Sequence, residues 1–227
     1  MKHESEYTLD IVRTFGIEDE DGRPPFISVL QHETLKTAAI LKAHGIETHE
    51  PIVAVHPGAS CESKKWPIER FAALGKKMIA ETSYRFVVIG GKEEAQAGQF
   101  LKKEWGDRAV DLTGQLTLKT LAALLKRCDI LISNDSGPVH ISAAVGTRTF
   151  VIFGRNQSGL SAARWRALGV NHRSIQKDVG CVVCMAHRCT IGFECLKAVD
   201  VHEVWLQVQE MLALKKPLHS SKQLQES

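Results

Sequence analysis

Residues 130–145 read ILISNDSGPVHISAAV and carry the clearest structural signal in the chain. The first four residues, Ile130–Ser133, form the continuous apolar run that is typical of a buried strand in a parallel sheet. The polar turn after them ends at Gly137 and Pro138. Proline has no backbone N–H, and it fits the first turn of a helix because an N–H there would have no partner within the helix. The stretch therefore predicts a strand, a turn and a helix around Val139–Val145.

The same alternation of strand and helix extends to both sides of this stretch. Amphipathic helical patterns separate further short strand patterns, which are Ile52–Val55, Arg85–Ile89, Ala109–Leu112 and Thr149–Phe153. Apolar strands alternating with helices indicate a parallel sheet that is covered on both faces. We therefore predict an α/β fold, a Rossmann-like doubly wound parallel sheet within residues 51–218.

The segments on either side of this domain differ from it. Residues 1–50 predict two helices, which end at Gly16 and Gly45, with no strand between them. They are interpreted as a helical segment left from, or linking to, an N-terminal domain. The last helix, Val201–Lys215, could pack back across them, and residues 219–227 are polar and expected to fray.

The composition narrows the class of protein. The chain has 227 residues, 44% of them hydrophobic and 24% charged, with a formal net charge of +3. This is enough apolar material for one sizeable core, and the charge is too small for the concentrated basic face of a nucleic-acid-binding protein. Since no apolar run reaches bilayer-spanning length and the first residues are not a secretory signal, we expect a cytoplasmic location.

Ligands of open α/β sheets bind at the carboxyl ends of the strands, so the loops at those ends are the candidate site. After the first strand, residues 56–60 (HPGAS) offer glycine and the hydroxyl of Ser60, and Lys64 follows within reach of a phosphate. Taken alone, this loop is more often a plain turn. After the second strand, Glu93 either responds to a helix dipole or accepts hydrogen bonds from a ribose.

The loop after Ile130–Ser133 is the strongest of the three. Asp135 and Ser136 are good helix N-caps, and capping alone could explain them. A helix N-terminus at the carboxyl end of a strand is, however, also an anion site, because its N–H groups are unpaired. His140 lies on the same helix face as Ser136 by i, i+4 spacing. With the other two loops, this arrangement favours a diphosphate-binding crevice.

Four of the six cysteines are clustered, with the spacing C-x2-C-x4-C-x5-C: Cys181, Cys184, Cys189 and Cys195. Four thiolates can hold a tetrahedral zinc ion, although this spacing is tighter than that of most structural zinc sites. Reduced thiols in a surface excursion are the alternative. Both interpretations stay open, and no residue is assigned as a metal ligand.

These motifs, in this order, resemble glycosyltransferase family nine, the heptosyltransferases of lipopolysaccharide core assembly. The resemblance covers Pro51 to Trp205 and is carried by His56-Pro57-Gly58-Ala59 with Lys64 and Trp66-Pro67, by residues 135–140 (DSGPVH), and by residues 164–169 (RWRALG) with the cysteine cluster. It implies the C-terminal, donor-binding domain of a GT-B enzyme, preceded by interdomain helices.

The family resemblance also implies an ADP-activated heptose donor and an inverting transfer that requires no cofactor or metal. By motif position, Lys64 would contact the phosphates, with Ser60 nearby. Glu93 would bind the ribose, and the backbone around Leu116 would face the adenine. The acceptor would be a lipid-linked saccharide at the surface of the inner membrane, to which the protein would be peripheral.

The sugar and the diphosphate would meet the loop after the strand Ile130–Ser133. Asp135 would hold the sugar hydroxyls, and Ser136, Gly137 and His140 would contact the diphosphate. The catalytic candidates are Lys64, Asp135 and His140. A preorganised helix N-terminus and a lysine would stabilise the negative charge that builds on the leaving diphosphate.

The chain departs from the family pattern in two respects. Only about fifty residues precede Pro51 in this sequence, so we expect it to lack the acceptor site and the general base of the N-terminal domain. Residues 153–156 read FGRN, where members usually have proline and threonine after the glycine. A non-catalytic nucleotide-sugar-binding module, or a truncated half that needs a separate N-terminal half, is therefore the alternative function. A GT-B nucleotide-sugar epimerase is a further possibility.

Overall fold

The computed structural model describes residues 2–17, 24–157, 159–181, 184 and 186–213. The predicted tail, 219–227, and the last two residues of the helix predicted over 201–215 lie outside these ranges. No helix in the described ranges is both long enough and apolar enough to cross a membrane.

Helices and strands alternate through most of the described chain. The strands are β1 (Ile52–His56), β2 (Arg85–Val88), β3 (Ala109–Asp111), β4 (Ile130–Asn134), β5 (Arg148–Phe153) and β6 (His172–Gln176). The helices are α1 (Glu4–Arg13), α2 (Gln31–Ala43), α3 (Ile68–Glu81), α4 (Ala95–Trp105), α5 (Leu118–Arg127), α6 (Gly137–Ala144), α7 (Ala162–Trp165), α8 (Glu194–Lys197) and α9 (Val201–Ala213).

The described strands form one parallel sheet in the order β3-β2-β1-β4-β5-β6. The chain first adds strands on one side of β1 and then returns to add β4, β5 and β6 on the other side. The order therefore reverses between β1 and β4, which leaves a crevice at their carboxyl ends. In the register of this pair, His56 at the end of β1 lies opposite Ser133.

Helices cover both faces of the sheet. On one face, Val53 and Val55 of β1 pack in a core with large side chains from α3, α4 and α9, including Phe71, Trp105 and Trp205. Strands that are buried on both faces need apolar residues at successive positions, which explains why β1 and β4 read as continuous apolar runs.

The opposite face is covered by α2 and α5. Ile52 and Ala54 of β1 pack there with Leu41 of α2 and Leu125 of α5. The N-terminal segment thus takes part in the core of the domain through α2, which the sequence did not suggest. The last helix, α9, packs against α3 on the other face, and not across α2 as the sequence suggested.

Helix α1 differs from α2 because none of its residues is buried. It is held at the surface by polar contacts to the segment that contains α7. Glu4 pairs with Arg164 at 2.5 Å, and the His3 ring lies 2.9 Å from the carbonyl oxygen of Arg166. This segment follows β5, so α1 lies at the edge of the domain.

Strand β6 is the strand that the sequence analysis missed, and the short helices α7 and α8 were not predicted either. Strand β6 lies at the edge of the sheet beside β5, and Ile175 is its buried residue, while the other four positions are half-buried. An edge strand exposes much of its length, so it can be built from polar residues and carries no apolar run for a sequence pattern to detect.

Candidate functional site

One cleft of about 950 Å³ opens at the carboxyl ends of β1, β2 and β4. The loop after β1, the loop after β2 and the start of α6 surround it, together with residues that lead into and form α8. This is the place where open α/β sheets bind ligands, and its volume is that of a small-molecule or cofactor site.

The structure brings five of the predicted residues to this cleft. They are Ser60, Glu93, Leu116, Ser136 and Gly137. Lys64, Asp135 and His140 are not among the lining residues. Lys64 and Asp135 adjoin the cleft instead, since Lys64 lies between Glu62 and Lys65, which both line it, and Asp135 directly precedes Ser136.

His56 is a buried group of the site to which the sequence gave no role of its own. Its Nδ1 lies 2.9 Å from the hydroxyl of Ser136 and 3.3 Å from that of Ser133. Burial lowers the pKa of His56 to about 4, against a smaller opposing effect of the negative charge of Glu93. The ring is therefore neutral at pH 7 and joins the loop after β1 to the start of α6.

Ser136 occupies the N-cap position of α6 but does not cap the helix with its side chain. Its hydroxyl instead contacts His56 and donates to the carbonyl oxygen of Asn134 at 3.1 Å. The capping interpretation of Ser136 is therefore wrong. In the first turn of α6, Pro138 carries no N–H, and the N–H of Val139 donates to the carbonyl oxygen of Ser136 at 3.1 Å. This leaves the N–H of Gly137, which lines the cleft, for a ligand, and apart from the chain neighbours of Gly137 no atom lies within 4 Å of the place a Cβ would occupy.

Asn134, at the end of β4, holds the chain that follows β1 through buried hydrogen bonds. Its buried amide donates to the carbonyl oxygen of Pro57 at 2.6 Å and accepts from the backbone N–H of Trp66 at 3.0 Å. The indole N–H of Trp66 donates in turn to the carbonyl oxygen of Val199 at 3.1 Å. One side chain of β4, which sequence reasoning missed, thus fixes both the predicted loop 56–60 and the backbone at Trp66.

A network of three charges lies beside the cleft. Asp135 Oδ2 is 2.8 Å from Lys64 Nζ and 3.1 Å from Arg155 Nη2. The structure therefore brings two of the predicted catalytic residues into direct contact and adds a third, Arg155, which the sequence had flagged only as a departure from the family pattern. Two cations around one carboxylate leave a net positive charge next to the start of α6, which favours an anionic ligand.

The loop after β2 separates the roles of two neighbouring carboxylates. Glu94 folds back so that its Oε2 accepts from the backbone N–H of Gly91 at 2.6 Å. It also fills the space beside Gly58, where a Cβ would lie 2.5 Å from the Glu94 side chain. Glu93 is exposed on the cleft, and within the described residues it forms no hydrogen bond or ion pair. Glu94 therefore accepts the hydrogen bond from the backbone at the start of the helix, and the carboxylate of Glu93 remains available to a ligand.

His140 lies one turn into α6, exposed at the surface near Asp135 and Lys64. Partial desolvation lowers the pKa of its ring, and the charge of Asp135 acts in the opposite direction. The ring is therefore mainly neutral at pH 7, so its contribution to an anion site is a hydrogen bond from a ring N–H.

The four clustered cysteines line a second cavity, of about 260 Å³, beside the first. None of the four forms a disulfide bond. In the part of the chain that the structure describes, no three cysteine, histidine or acidic side chains are grouped closely enough to hold a metal ion. Desolvation and then the nearby thiols raise the pKa of Cys181, and Cys189 Sγ accepts from the backbone N–H of Phe193 at 3.1 Å.

The sequence matches known proteins along most of its length. The model of "Glycosyltransferase family 9 (heptosyltransferase)" matches residues 16–193. Lipooligosaccharide heptosyltransferase 2 of Campylobacter jejuni subsp. jejuni serotype O:2 is 28% identical over 165 residues, which are 71% of this chain and 51% of that protein. Lipopolysaccharide heptosyltransferase 2 of Salmonella typhimurium is 28% identical over 48% of this chain and 32% of its own length. The match therefore spans about half the length of the Campylobacter jejuni protein and about a third of the Salmonella typhimurium protein.

Solved structures show the same fold. The structure of E. coli ADP-heptose lps heptosyltransferase II superposes with a TM-score of 0.70 at 21% identity, over 86% of this chain and 55% of that one. The glycosyl transferase family 9 structure from Veillonella parvula reaches a TM-score of 0.81 at 20% identity, over 93% and 60%. The predicted Rossmann-like α/β class is confirmed.

Proposed function

Because the chain belongs to glycosyltransferase family 9, we propose that it binds an ADP-sugar and forms the donor half of an inverting, heptosyltransferase-like glycosyltransferase acting on a lipopolysaccharide core acceptor. One observation carries this proposal: the start of α6 faces a cleft at the point where the strand order reverses, beside a network with net positive charge. Such a helix N-terminus is suited to a diphosphate.

We assign each part of the donor to residues of the cleft or beside it. Glu93, which has no hydrogen-bond or ion-pair partner among the described residues, offers its carboxylate to the ribose diol, and Leu116 offers an apolar surface to the adenine. Ser60, Ser136 and Gly137 surround the position of the diphosphate. The sugar then lies toward Asp135, whose carboxylate can accept hydrogen bonds from its hydroxyls.

The proposed chemistry is stabilisation of the leaving group. As the bond from the sugar to the diphosphate breaks, negative charge grows on the phosphate oxygens. Once the donor is bound, the N–H of Gly137 at the start of α6 and the ammonium of Lys64 lie against the diphosphate, so they stabilise that charge without further reorganisation during the reaction. His140 adds a neutral hydrogen-bond donor. The proposed chemistry gives no role to a metal ion.

The acceptor site and the general base are assigned to an N-terminal half. The N-terminal segment exposes apolar side chains that a second domain could cover: Ile11, Phe15, Ile17, Phe26 and Leu30. We place the assembled protein in the cytoplasm, peripheral to the inner membrane, where a lipid-linked saccharide would be accessible.

Calorimetry with ADP tests the donor site. The chain should bind ADP, and Lys64→Met should weaken binding about tenfold, as expected for the loss of one charged contact. Lys76→Met removes a surface lysine that pairs with Glu104 away from the cleft and should leave binding unchanged. An absence of heat with millimolar ADP would contradict the proposal.

A second experiment separates the transferase from the non-catalytic alternative. The chain is mixed with the N-terminal half of a family member, and transfer of heptose from ADP-heptose to a core acceptor is measured. Turnover that depends on both halves supports the transferase. ADP binding without turnover supports a nucleotide-sugar-binding module.

A further inference from the structure

Asp135 shares one carboxylate oxygen between two cations that differ in their access to solvent. The side chains of Asp135 and Arg155 are 7% and 5% exposed, whereas that of Lys64 is 19% exposed. The Arg155–Asp135 pair is therefore enclosed by protein, and Lys64 approaches the same oxygen from the more accessible side.

Arg155 is held in place by its backbone. Its φ of 46° lies in the left-handed region, which is uncommon for a residue with a side chain. The carbonyl oxygen of Arg155 accepts from the Gln176 amide of β6 at 2.7 Å. The preceding Gly154 packs against the carbonyl oxygen of Ser63 so closely that a Cβ would lie 2.3 Å from it. A strained backbone that is fixed on both sides points to a role for the arginine side chain.

Lys64 has the opposite character. It ends the short 3₁₀ turn Glu62–Lys64, and its ammonium is a compact charge on a flexible four-carbon stem. Lysine binds phosphate groups as a point charge and does not need a fixed geometry. Of the two cations on Asp135, Lys64 is therefore the one that can move to a ligand.

We propose that Arg155 is a positioning residue: it keeps the Asp135 carboxylate paired and in place while Lys64 turns from Asp135 to the diphosphate of the donor. This inference rests on the proposed function, because it takes the ligand to be a nucleoside diphosphate. A buried carboxylate that loses its only cation is strongly destabilised. Since Arg155 remains on Asp135, the release of Lys64 does not create such a charge.

The first test measures the affinity of the whole chain for ADP by calorimetry. In Arg155→Met, Lys64 becomes the only cation on Asp135 and is retained there, so the affinity should fall about tenfold. In the Asp135→Asn background no carboxylate needs a cation, so adding Arg155→Met should change the affinity by less than about threefold. Arg173→Met removes a surface arginine that pairs with Glu210 and should leave the affinity unchanged.

Two results of this test would overturn the inference. One is an Arg155→Met variant that binds ADP as well as the unaltered chain. The other is a tenfold loss that persists in the Asp135→Asn background, because Arg155 would then contact the ligand itself. If Arg155→Met alone does not fold, comparing ADP affinity in Asp135→Asn with that in Asp135→Asn/Arg155→Met still shows whether Arg155 contacts the ligand itself.

The second test needs no ligand and measures the melting temperature. Lys64→Met and Arg155→Met should each lower it slightly, because one cation remains on Asp135. The double variant should lose much more than the sum of the two, and adding Asp135→Asn should restore most of the loss. Simple additivity would overturn the inference. An unaltered chain that fails to bind ADP would instead contradict the proposed function, which keeps the two failures distinct.

Discussion

His56 Nδ1 and Ser136 Oγ lie 2.9 Å apart, although 80 positions separate the two residues in the chain. The contact joins the loop after β1 to the first residue before α6, across the point where the strand order reverses. Because the ring is buried and neutral, it fixes the start of the helix without adding a positive charge that the positive end of the helix dipole would repel.

The pH dependence of stability should reveal this buried ring. The folded protein keeps His56 neutral down to about pH 4, whereas an unfolded chain binds the proton near pH 6.5. Between these values the unfolded state binds more protons, so the free energy of unfolding falls as the pH falls, by about 3 kcal/mol in total.

Urea denaturation of the unaltered chain and of His56→Asn, at pH 7 and pH 5, measures this contribution. The variant should lose less stability between the two pH values than the unaltered chain does. His202→Asn, at an exposed histidine of α9, serves as the control. Equal losses in the chain and in His56→Asn would contradict the assignment.

Gly137→Ala should separate binding from folding. Apart from the chain neighbours of Gly137, no atom lies within 4 Å of the added Cβ, so the effect on stability should be limited to the strain of placing a Cβ before Pro138 at a helix start. The methyl group would, however, stand at the start of α6 in the cleft, and ADP affinity should fall about tenfold or more if the diphosphate binds there. Calorimetry and thermal melting on one preparation check both parts, and unchanged ADP affinity would move the diphosphate elsewhere.

Glu93 should determine a preference for ribose. A carboxylate that accepts hydrogen bonds from the diol contributes about 1.5–3 kcal/mol, so ADP should bind roughly tenfold or more tightly than 2′-deoxy-ADP. Glu93→Ala should remove most of that preference, while Glu104→Ala, outside the cleft, should keep it. The paired affinities are measured by calorimetry, and an equal preference in both variants would argue against a ribose contact.

Gly75→Ala should destabilise the fold at a distance from the cleft. A Cβ at this position of α3 would lie 2.2 Å from the ring of Trp105, which is buried and donates its indole N–H to the carbonyl oxygen of Ala72. Overpacking of this kind costs about 1–3 kcal/mol, measured as a lower urea midpoint. A midpoint equal to that of the unaltered chain would show that Trp105 can move aside.

The strands β1 to β5 were predictable because their runs of buried apolar residues are local in the sequence. The polar edge strand β6 has no such run. The same distinction applies to the site. Ser136 and Gly137 belong to one strand–turn–helix motif, so their position followed from the sequence. Whether they bind a diphosphate stays a prediction.

The contacts that sequence reasoning missed depend on adjacency in the fold. Arg155 meets Asp135 across 20 positions, and Asn134 meets the backbone of Trp66 across 68. No periodicity or motif relates such residues, because their distance is set by neighbouring strands of the sheet. Arg155 could be flagged by its position after a buried strand, but its partner could not be deduced.

Phe193 lines both the cleft and the cavity of the four cysteines, so a single side chain forms part of the wall between them. An environment-sensitive fluorophore attached to Cys195 would therefore sit next to the cleft. If ADP binds in the cleft as proposed, such a label would act as an optical reporter whose emission follows the nucleotide. The thiols thus give this fold a built-in handle for a biosensor.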